Sequence, residues 1–178
     1  MGVVIAAEKL EALIARIFEQ TECDRTEAER IAHYLMDANL TGHDSHGVIR
    51  TLRYVDWMAS GLIKAGQGIR IAKESPVLAV VDGQMGFGQT VAPLAVDIGI
   101  KKAKEMEVSI VTLKNAGHIG RVGAWAEQAA AEGLVSIHFV NARGSELVAP
   151  FGGRERRFPT APFCGGVPQP TGPPPPLD

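Results

Sequence analysis

Residues 77–89 have the sequence VLAVVDGQMGFGQ, and this stretch decides the fold class. A short β-branched run, 77–81, is followed by glycines and then by a helix-like stretch, 90–107. A second β-branched run, 108–113, comes next, so the order strand, helix, strand predicts an α/β sheet. The glycines follow the pattern G-x-x-G-x-G and not the G-x-G-x-x-G of a dinucleotide-binding turn. The sequence therefore predicts an α/β domain that is not a standard Rossmann domain.

The residues before this stretch predict a helical region. Apolar side chains recur every three or four residues in 10–18, which is typical of an amphipathic helix. Thr26 and Glu29 have the spacing of a capping box at the start of a second helix, which Gly42 ends. A third helix is predicted over 45–59.

The residues after it continue the alternation. A helix is predicted over 119–132 and a strand over 134–140, and a short strand over 69–72 precedes the deciding stretch. We therefore expect a small helical region, 1–66, followed by an α/β sheet domain, 67–178.

Composition excludes several classes of protein. Eighteen basic and twenty acidic residues give a net charge of −2, which argues against nucleic-acid binding. The longest apolar runs, such as 77–81, have five residues and are too short to span a bilayer. Charged residues at 8, 9 and 11 interrupt the first apolar stretch, so no signal peptide is predicted. Two cysteines cannot form a disulfide framework and fit a reducing cytoplasm.

The first polar cluster is HDSHGVIR, residues 43–50, together with the tyrosine that follows. If a helix begins just before them, His46, Arg50 and Tyr54 lie one turn apart on one face. The guanidinium can bind a carboxylate in bidentate fashion, and the imidazole can exchange a proton with an adjacent oxygen. Two alternatives stay open, namely a solvated helix face and a metal site that pairs His43 with His46.

The second polar cluster is NAGHIGRVG, residues 115–123, directly after a predicted strand. Proteins of the α/β class place reactive groups at strand ends, and glycines there let the backbone approach a ligand. His118 is therefore a second candidate acid or base, and the alternative is a histidine that caps a helix. His33 and His138 are predicted to be structural.

Taken together, these segments resemble the type-2 malate/L-lactate dehydrogenase family, which also includes ureidoglycolate and sulfolactate dehydrogenases and cyclic-imine carboxylate reductases. The matching stretches keep the family's order and cover nearly the whole chain. They are DSHGV at 44–48 with Arg50 and Tyr54, DG at 82–83 with GFGQ at 86–89, HIGR at 118–121, Asn141 with Gly144, and VAPFGG at 148–153.

The resemblance implies a fold and a reaction. Members pair a small helical region with a non-Rossmann, mixed-sheet α/β domain that binds NAD or NADP, and they usually form homodimers. They are oxidoreductases that act on a CH–OH group by transferring a hydride between the nicotinamide and C2 of a small 2-oxo or 2-hydroxy acid.

The resemblance also implies roles for individual side chains. His46 and His118 take the positions of the acid/base or its neighbour, and the choice between them stays open. Arg50 would anchor the substrate carboxylate. Ser45 and Tyr54 would donate hydrogen bonds that orient the substrate.

At the implied cofactor site the chain departs from the family's pattern. Ala142 stands where members often have a serine, and Thr160 lies in PTAP where members usually have GTNP. Asp178 matches an acidic position that contacts the cofactor. Because members are much longer than this chain, the mixed-sheet domain is expected to be truncated.

The sequence therefore predicts an NAD- or NADP-dependent dehydrogenase of a small carboxylate substrate, without a metal. Two other functions stay open. A non-catalytic fragment, or a binding protein that dimerises, would fit the proline-rich end PQPTGPPPPLD at 168–178. A metal hydrolase built on His43, Asp44 and His46 is the weaker alternative.

Overall fold

The computed structural model of the chain describes residues 4–141, 147–169 and 176–177. The chain divides into two compact units, Met1–Arg121 and Val122–Asp178. Its elements are α1 (Ala7–Glu19), α2 (Arg25–Leu40), α3 (Thr51–Ala59), β1 (Arg70–Glu74), β2 (Leu78–Gly86), α4 (Gly88–Met106), β3 (Ile110–Ala116), α5 (Gly123–Ala131), β4 (Ser136–Phe139), β5 (Phe163–Gly166) and β6 (Pro176–Leu177). The predicted mixed α/β class with a helical lead-in is confirmed. The predicted boundary between 66 and 67 stays a proposal.

The helices of the first unit enclose an apolar core. Apolar side chains at helical spacing on α1 and α2 face each other, which removes them from water. The ring of Phe18 meets that of Phe87 edge-on at 5.8 Å and lies 6.5 Å from that of Tyr54. The buried members of this core are Ile14, Ala15, Phe18, Cys23, Ala28, Ile31, Ala32, Leu35, Met36, Tyr54, Ile63 and Phe87.

The start of α2 differs from the prediction. Asp24 is the N-cap residue, and its Oδ1 accepts a hydrogen bond from the backbone N–H of Glu27 at 2.8 Å. The capping box predicted for Thr26 and Glu29 is wrong, because the Glu29 carboxylate instead pairs with Arg25 at 2.8 Å. Asp24 satisfies the same kind of unpaired backbone donor two residues earlier.

The first unit also holds a three-stranded mixed sheet in the order β1-β2-β3. β2 is antiparallel to β1 and parallel to β3, and α4 makes the crossover between the parallel strands. Side chains of Ala79, Val81 and Ala95 form the buried layer between this sheet and α4. This is the strand, helix, strand unit that residues 77–113 predict.

The glycine-rich end of β2 contains a backbone irregularity and not a nucleotide turn. The register with β3 shifts between Asp82 and Gly86, and Gln84 has a φ of 54°. The Asp82 carboxylate accepts hydrogen bonds from the backbone N–H of Gln84 at 3.0 Å and from the amide of Asn115 at 3.1 Å. These bonds hold the pKa of Asp82 below its usual value and stabilise the irregular backbone.

The second unit packs α5 on one face of the antiparallel sheet β4-β5-β6. Close approach at this face requires glycine, since a β-carbon at Gly166 would lie 2.8 Å from the β-carbon of Ala126. Because side chains alternate along a strand, the other face presents Ile137, Phe139 and Phe163, all of them exposed.

Candidate active site

The segment between α2 and α3 consists of two single 3₁₀ turns, Asp44–His46 and Val48–Arg50. α3 begins only at Thr51. The helix predicted over 45–59 is therefore wrong in its first part. His46, Arg50 and Tyr54 are not consecutive turns of one helix, although they remain close in the chain.

A single amide at the end of α2 holds both turns. Oδ1 of Asn39 accepts a hydrogen bond from the N–H of Val48 at 2.7 Å, and its Nδ2 donates to Asp44 at 2.6 Å. A β-carbon at Gly47 would overlap this amide and displace it from both hydrogen bonds, so glycine lets the backbone pass the amide as it is bonded. This contact is the physical reason why the predicted helix does not extend back to 45.

Ser45 and Arg50 are tied to each other and to His46. The guanidinium Nε of Arg50 donates to the carbonyl oxygen of Ser45 at 2.6 Å, and Oγ of Ser45 lies 2.9 Å from Nδ1 of His46. Within the described part of the chain this is the only hydrogen bond of the Arg50 guanidinium. Its two terminal nitrogens are therefore available to an anion.

His118 lies in the loop that follows β3, and α4 fixes its position. A β-carbon at Gly88 would overlap the carbonyl oxygen of His118, so glycine lets the start of α4 pack directly against this loop. The next turn requires glycine for a different reason, because Gly120 has a φ of +70°. Its backbone N–H donates to Nδ1 of His118 at 3.3 Å.

The structure brings the two candidate imidazoles together. The rings of His46 and His118 are stacked, with centroids 5.2 Å apart and planes inclined by 22°. The hydroxyl of Tyr54 lies 2.7 Å from Nδ1 of His118 and accepts a hydrogen bond from Nε2 of Gln89 at 3.0 Å. Tyr54 and Gln89 are both fully buried. The site therefore joins residues from the turns before α3, from α3, from α4 and from the loop after β3.

Burial and nearby positive groups set the charges of the site. Burial, with smaller contributions from Arg50 and His46, lowers the pKa of His118 to about 4. Burial raises the pKa of Tyr54 to about 12, although the hydrogen bond from Gln89 opposes this change. His118 and Tyr54 are consequently both neutral at pH 7.

A buried ion pair anchors the His118 loop to α2. Arg121 is 4% exposed, and its Nη2 and Nε donate to Oδ2 of Asp37 at 2.7 and 3.2 Å. Two bonds from one guanidinium to one oxygen restrain the backbone three residues after His118.

The structure describes one of the three predicted cofactor residues. Thr160 lies in the second unit, and its side chain is exposed. Ala142 and Asp178 lie outside the described residues. The described residues at these positions thus supply one hydroxyl group, which does not by itself form a nucleotide cradle.

The metal alternative requires His43 and His46 to share a ligand set. The rings of His43 and His46 have centroids 6.2 Å apart. Among residues 4–141, 147–169 and 176–177, no three His, Cys, Asp or Glu side chains are placed to hold a metal ion.

No helix in these ranges has both the length and the apolar character needed to cross a bilayer.

Sequence reasoning assigned no role to Gln89, Asn39 or Arg121. Gln89 closes the glycine-rich stretch 86–89, and its burial beside Tyr54 depends on contacts between residues far apart in the chain. The only sequence signal for it is a polar amide in the first turn of α4, directly after Gly88 and ahead of the apolar Val91 and Ala92.

Comparison with known proteins identifies the family. The family model for malate/L-lactate dehydrogenase matches residues 5–178. The chain belongs to the malate/L-lactate dehydrogenase family. The resemblance drawn from the sequence motifs is thereby confirmed.

Individual relatives agree with this assignment. Hydroxycarboxylate dehydrogenase B of Escherichia coli O157:H7 is 44% identical over 158 residues, which are 89% of this chain and 44% of that protein. L-sulfolactate dehydrogenase of Methanocaldococcus jannaschii is 34% identical over 161 residues, covering 90% of this chain and 46% of that protein. The structure of malate dehydrogenase from Pyrococcus horikoshii OT3 matches with a TM-score of 0.89 at 36% identity, covering 96% of this chain and 49% of the other. The chain thus spans about half the length of the relatives that it matches.

Proposed function

We propose that the chain provides the substrate side of an oxidoreductase that interconverts a small 2-hydroxy acid and its 2-oxo acid. The main support is the convergence of two imidazoles and a guanidinium within the first unit. The rings of His46 and His118 are stacked at 5.2 Å, and the Arg50 guanidinium is bonded to Ser45, whose hydroxyl lies 2.9 Å from the His46 ring. The relatives named above act on hydroxycarboxylate, malate and sulfolactate, all of which carry a carboxylate beside a hydroxyl-bearing carbon.

Arg50 binds the substrate carboxylate in this proposal. Its Nε is held by the Ser45 carbonyl, so the two terminal nitrogens can present parallel donors to two carboxylate oxygens. The imidazoles then lie on the side of the C2 oxygen. As this oxygen becomes an alkoxide during reduction, it requires a hydrogen-bond donor and a proton, which an imidazole provides. His118, which is neutral at pH 7, can donate a hydrogen bond to this oxygen through its ring N–H, and which of the two imidazoles exchanges the proton stays open.

Tyr54 and Ser45 act through the imidazoles. The Tyr54 hydroxyl is buried against His118, and the Ser45 hydroxyl lies on Nδ1 of His46. Each hydroxyl therefore orients a ring, and the ring faces the substrate.

The cofactor in this proposal is NAD or NADP, which when bound would supply the hydride to C2 or accept it. The exposed hydroxyl of Thr160 is one group that could contact it, together with Ala142 and Asp178. We also propose a homodimer in the cytoplasm, on the family resemblance and on the low cysteine count. The helical region 1–66 would hold the substrate-side residues, and 67–178 would be part of the cofactor domain.

Turnover of 2-oxo acids tests the proposal. Purified chain is incubated with NADH or NADPH and with pyruvate or oxaloacetate, and loss of the reduced nicotinamide absorbance is followed. We expect turnover that falls about a hundred-fold in kcat/KM in His46→Gln and His118→Gln. The exposed His33→Gln is the matched control and should keep the wild-type value. Saturable binding of the acid without turnover would favour the alternative of a non-catalytic fragment. The absence of both binding and turnover would refute the proposal.

A further inference from the structure

Gln89 is a buried polar residue that the reaction outlined above does not use. It is fully buried near the start of α4. Its Nε2 donates to the Tyr54 hydroxyl at 3.0 Å, while its Oε1 has no hydrogen-bond partner among the described residues. A buried amide oxygen without a partner costs stability, so a residue of this kind calls for an explanation other than packing.

The hydrogen bonds around Nδ1 of His118 have a defined direction. A backbone N–H can only donate, so the N–H of Gly120 favours a lone pair on Nδ1, although this bond is long at 3.3 Å and does not fix the tautomer by itself. The Tyr54 hydroxyl, at 2.7 Å, must then donate its hydrogen to the same nitrogen. The Tyr54 oxygen in turn accepts from the amide of Gln89. Gln89 therefore donates to Tyr54 and Tyr54 donates to His118, while Gly120 donates to the same ring nitrogen separately.

This direction fixes the tautomer of the imidazole. A neutral imidazole has one N–H group, and if Nδ1 holds the lone pair, the hydrogen is on Nε2. Both hydrogen bonds of the ring within the described part of the chain go to Nδ1, so they leave Nε2 for a ligand.

We propose that Gln89 is a positioning residue of the dehydrogenase site, which acts through Tyr54 to hold His118 as the Nε2–H tautomer and so directs an N–H donor at the C2 oxygen of a 2-oxo acid. This inference rests on the proposed function and extends it. It assigns His118 the part of a hydrogen-bond donor to the oxygen that becomes an alkoxide. The neutral Tyr54 and His118 described above are the protonation states that this arrangement needs.

The unpartnered Oε1 gives glutamine a second use that an apolar residue lacks. If the ring proton moves to Nδ1, the Nδ1–H group donates a hydrogen bond to the Tyr54 oxygen. The Tyr54 O–H then no longer donates to the ring and needs another acceptor. Rotation of the Gln89 amide places Oε1 where Nε2 lies, which provides that acceptor. A single amide can thus match either tautomer, while its observed orientation favours the Nε2–H form.

The test uses the ring nitrogens of His118, which can be observed without turnover. Long-range ¹⁵N–¹H NMR spectra of the 178-residue chain distinguish a protonated ring nitrogen from an unprotonated one. The signals of His118 are assigned by their loss in His118→Gln. We expect an unprotonated Nδ1 and a protonated Nε2 in the wild type, and a mixture of both tautomers in Gln89→Met. Gln67→Met is the matched control, since its half-buried amide donates to the carbonyl of Ala65 and is not bonded to His118.

A double-mutant cycle separates positioning from mere packing. Because Gln89 acts through the Tyr54 hydroxyl, Gln89→Met should change the His118 signals in the wild type and leave them unchanged in a Tyr54→Phe background. Where the chain turns over, kcat should show the same non-additivity, with a loss of about ten-fold and little change in KM. If Gln89→Met does not fold, Gln89→Glu replaces it. Its carboxylate accepts and does not donate, so the protonated nitrogen should become Nδ1.

Three results would overturn this inference: a protonated Nδ1 in the wild type, unchanged His118 signals in the Gln89 variant, or equal effects of that variant in both backgrounds. These outcomes are distinct from failure of the proposed function. If no 2-oxo acid is turned over, the NMR spectra still determine the tautomer of His118. If the tautomer differs from the prediction, turnover of a 2-oxo acid still supports the proposed function.

Discussion

The buried ring of His118 should make the chain less stable as the pH falls. In the unfolded chain this imidazole has an ordinary pKa of 6.5, and in the fold burial lowers it to about 4. Between these pH values the unfolded chain binds a proton that the folded chain does not, so unfolding becomes more favourable as the pH decreases. The two pKa values correspond to about 3 kcal/mol of unfolding free energy, or about 2 kcal/mol once the partial exposure of the ring is allowed for. This stability is present above pH 6.5 and is lost as the pH falls toward 4.

Urea unfolding followed by helical circular dichroism measures this effect at pH 7 and at pH 4.5. The wild type and His118→Gln have the same carboxylates. The difference between the pH dependences of their unfolding free energies therefore reports the His118 imidazole. We expect the wild type to lose about 2 kcal/mol more than His118→Gln over this interval. His33→Gln, which removes an exposed imidazole, should keep the wild-type dependence. An identical pH dependence of wild type and His118→Gln would refute the burial argument.

Three further substitutions test the packing that positions the site. Gly88→Ala should reduce the free energy of unfolding by about 2 kcal/mol, because its β-carbon overlaps the carbonyl oxygen of His118. Gly99→Ala, in the interior of the same helix, would bring its β-carbon to 3.3 Å from the Val111 side chain and not against backbone, so it should lower the free energy of unfolding by clearly less than Gly88→Ala in the same urea titration. Arg121→Met should cost about 2 kcal/mol in urea unfolding, because it leaves the Asp37 carboxylate partly buried without its guanidinium. Equal stability of the two alanine variants would contradict the close contact between Gly88 and the His118 carbonyl. Equal stability of wild type and Arg121→Met would contradict a stabilising ion pair between Arg121 and Asp37.

The sequence predicted the fold class because its periodicities are local. The β-branched run 77–81 and the helix-like stretch after it depend on neighbours along the chain, and the structure has β2 and α4 there. The same holds for the rejection of a nucleotide turn, since the glycine order alone excludes it. Family membership followed from motifs that are each weak but occur in the expected order.

The site could be predicted only in part. Spacing made His46 and His118 candidates, but nothing local shows that their rings are stacked or that Tyr54 turns away from solvent to bond His118. The helix predicted from 45 failed because the Asn39 amide, on a different helix, holds the backbone in two 3₁₀ turns. Gln89 lacked a role for the same reason, since its partner is a long way off in the sequence.

Binding of a small 2-oxo acid tests most directly whether the guanidinium and the imidazoles form one anion site. Isothermal titration of the chain with pyruvate is compared for wild type, Arg50→Met and Arg53→Met. The control arginine belongs to α3, is exposed, and lies over the Trp57 ring at 5.9 Å. We expect saturable binding in the wild type and in Arg53→Met, and an affinity at least about ten-fold weaker in Arg50→Met. Absence of saturable binding in the wild type, or equal affinities for the two arginine variants, would contradict the proposed site.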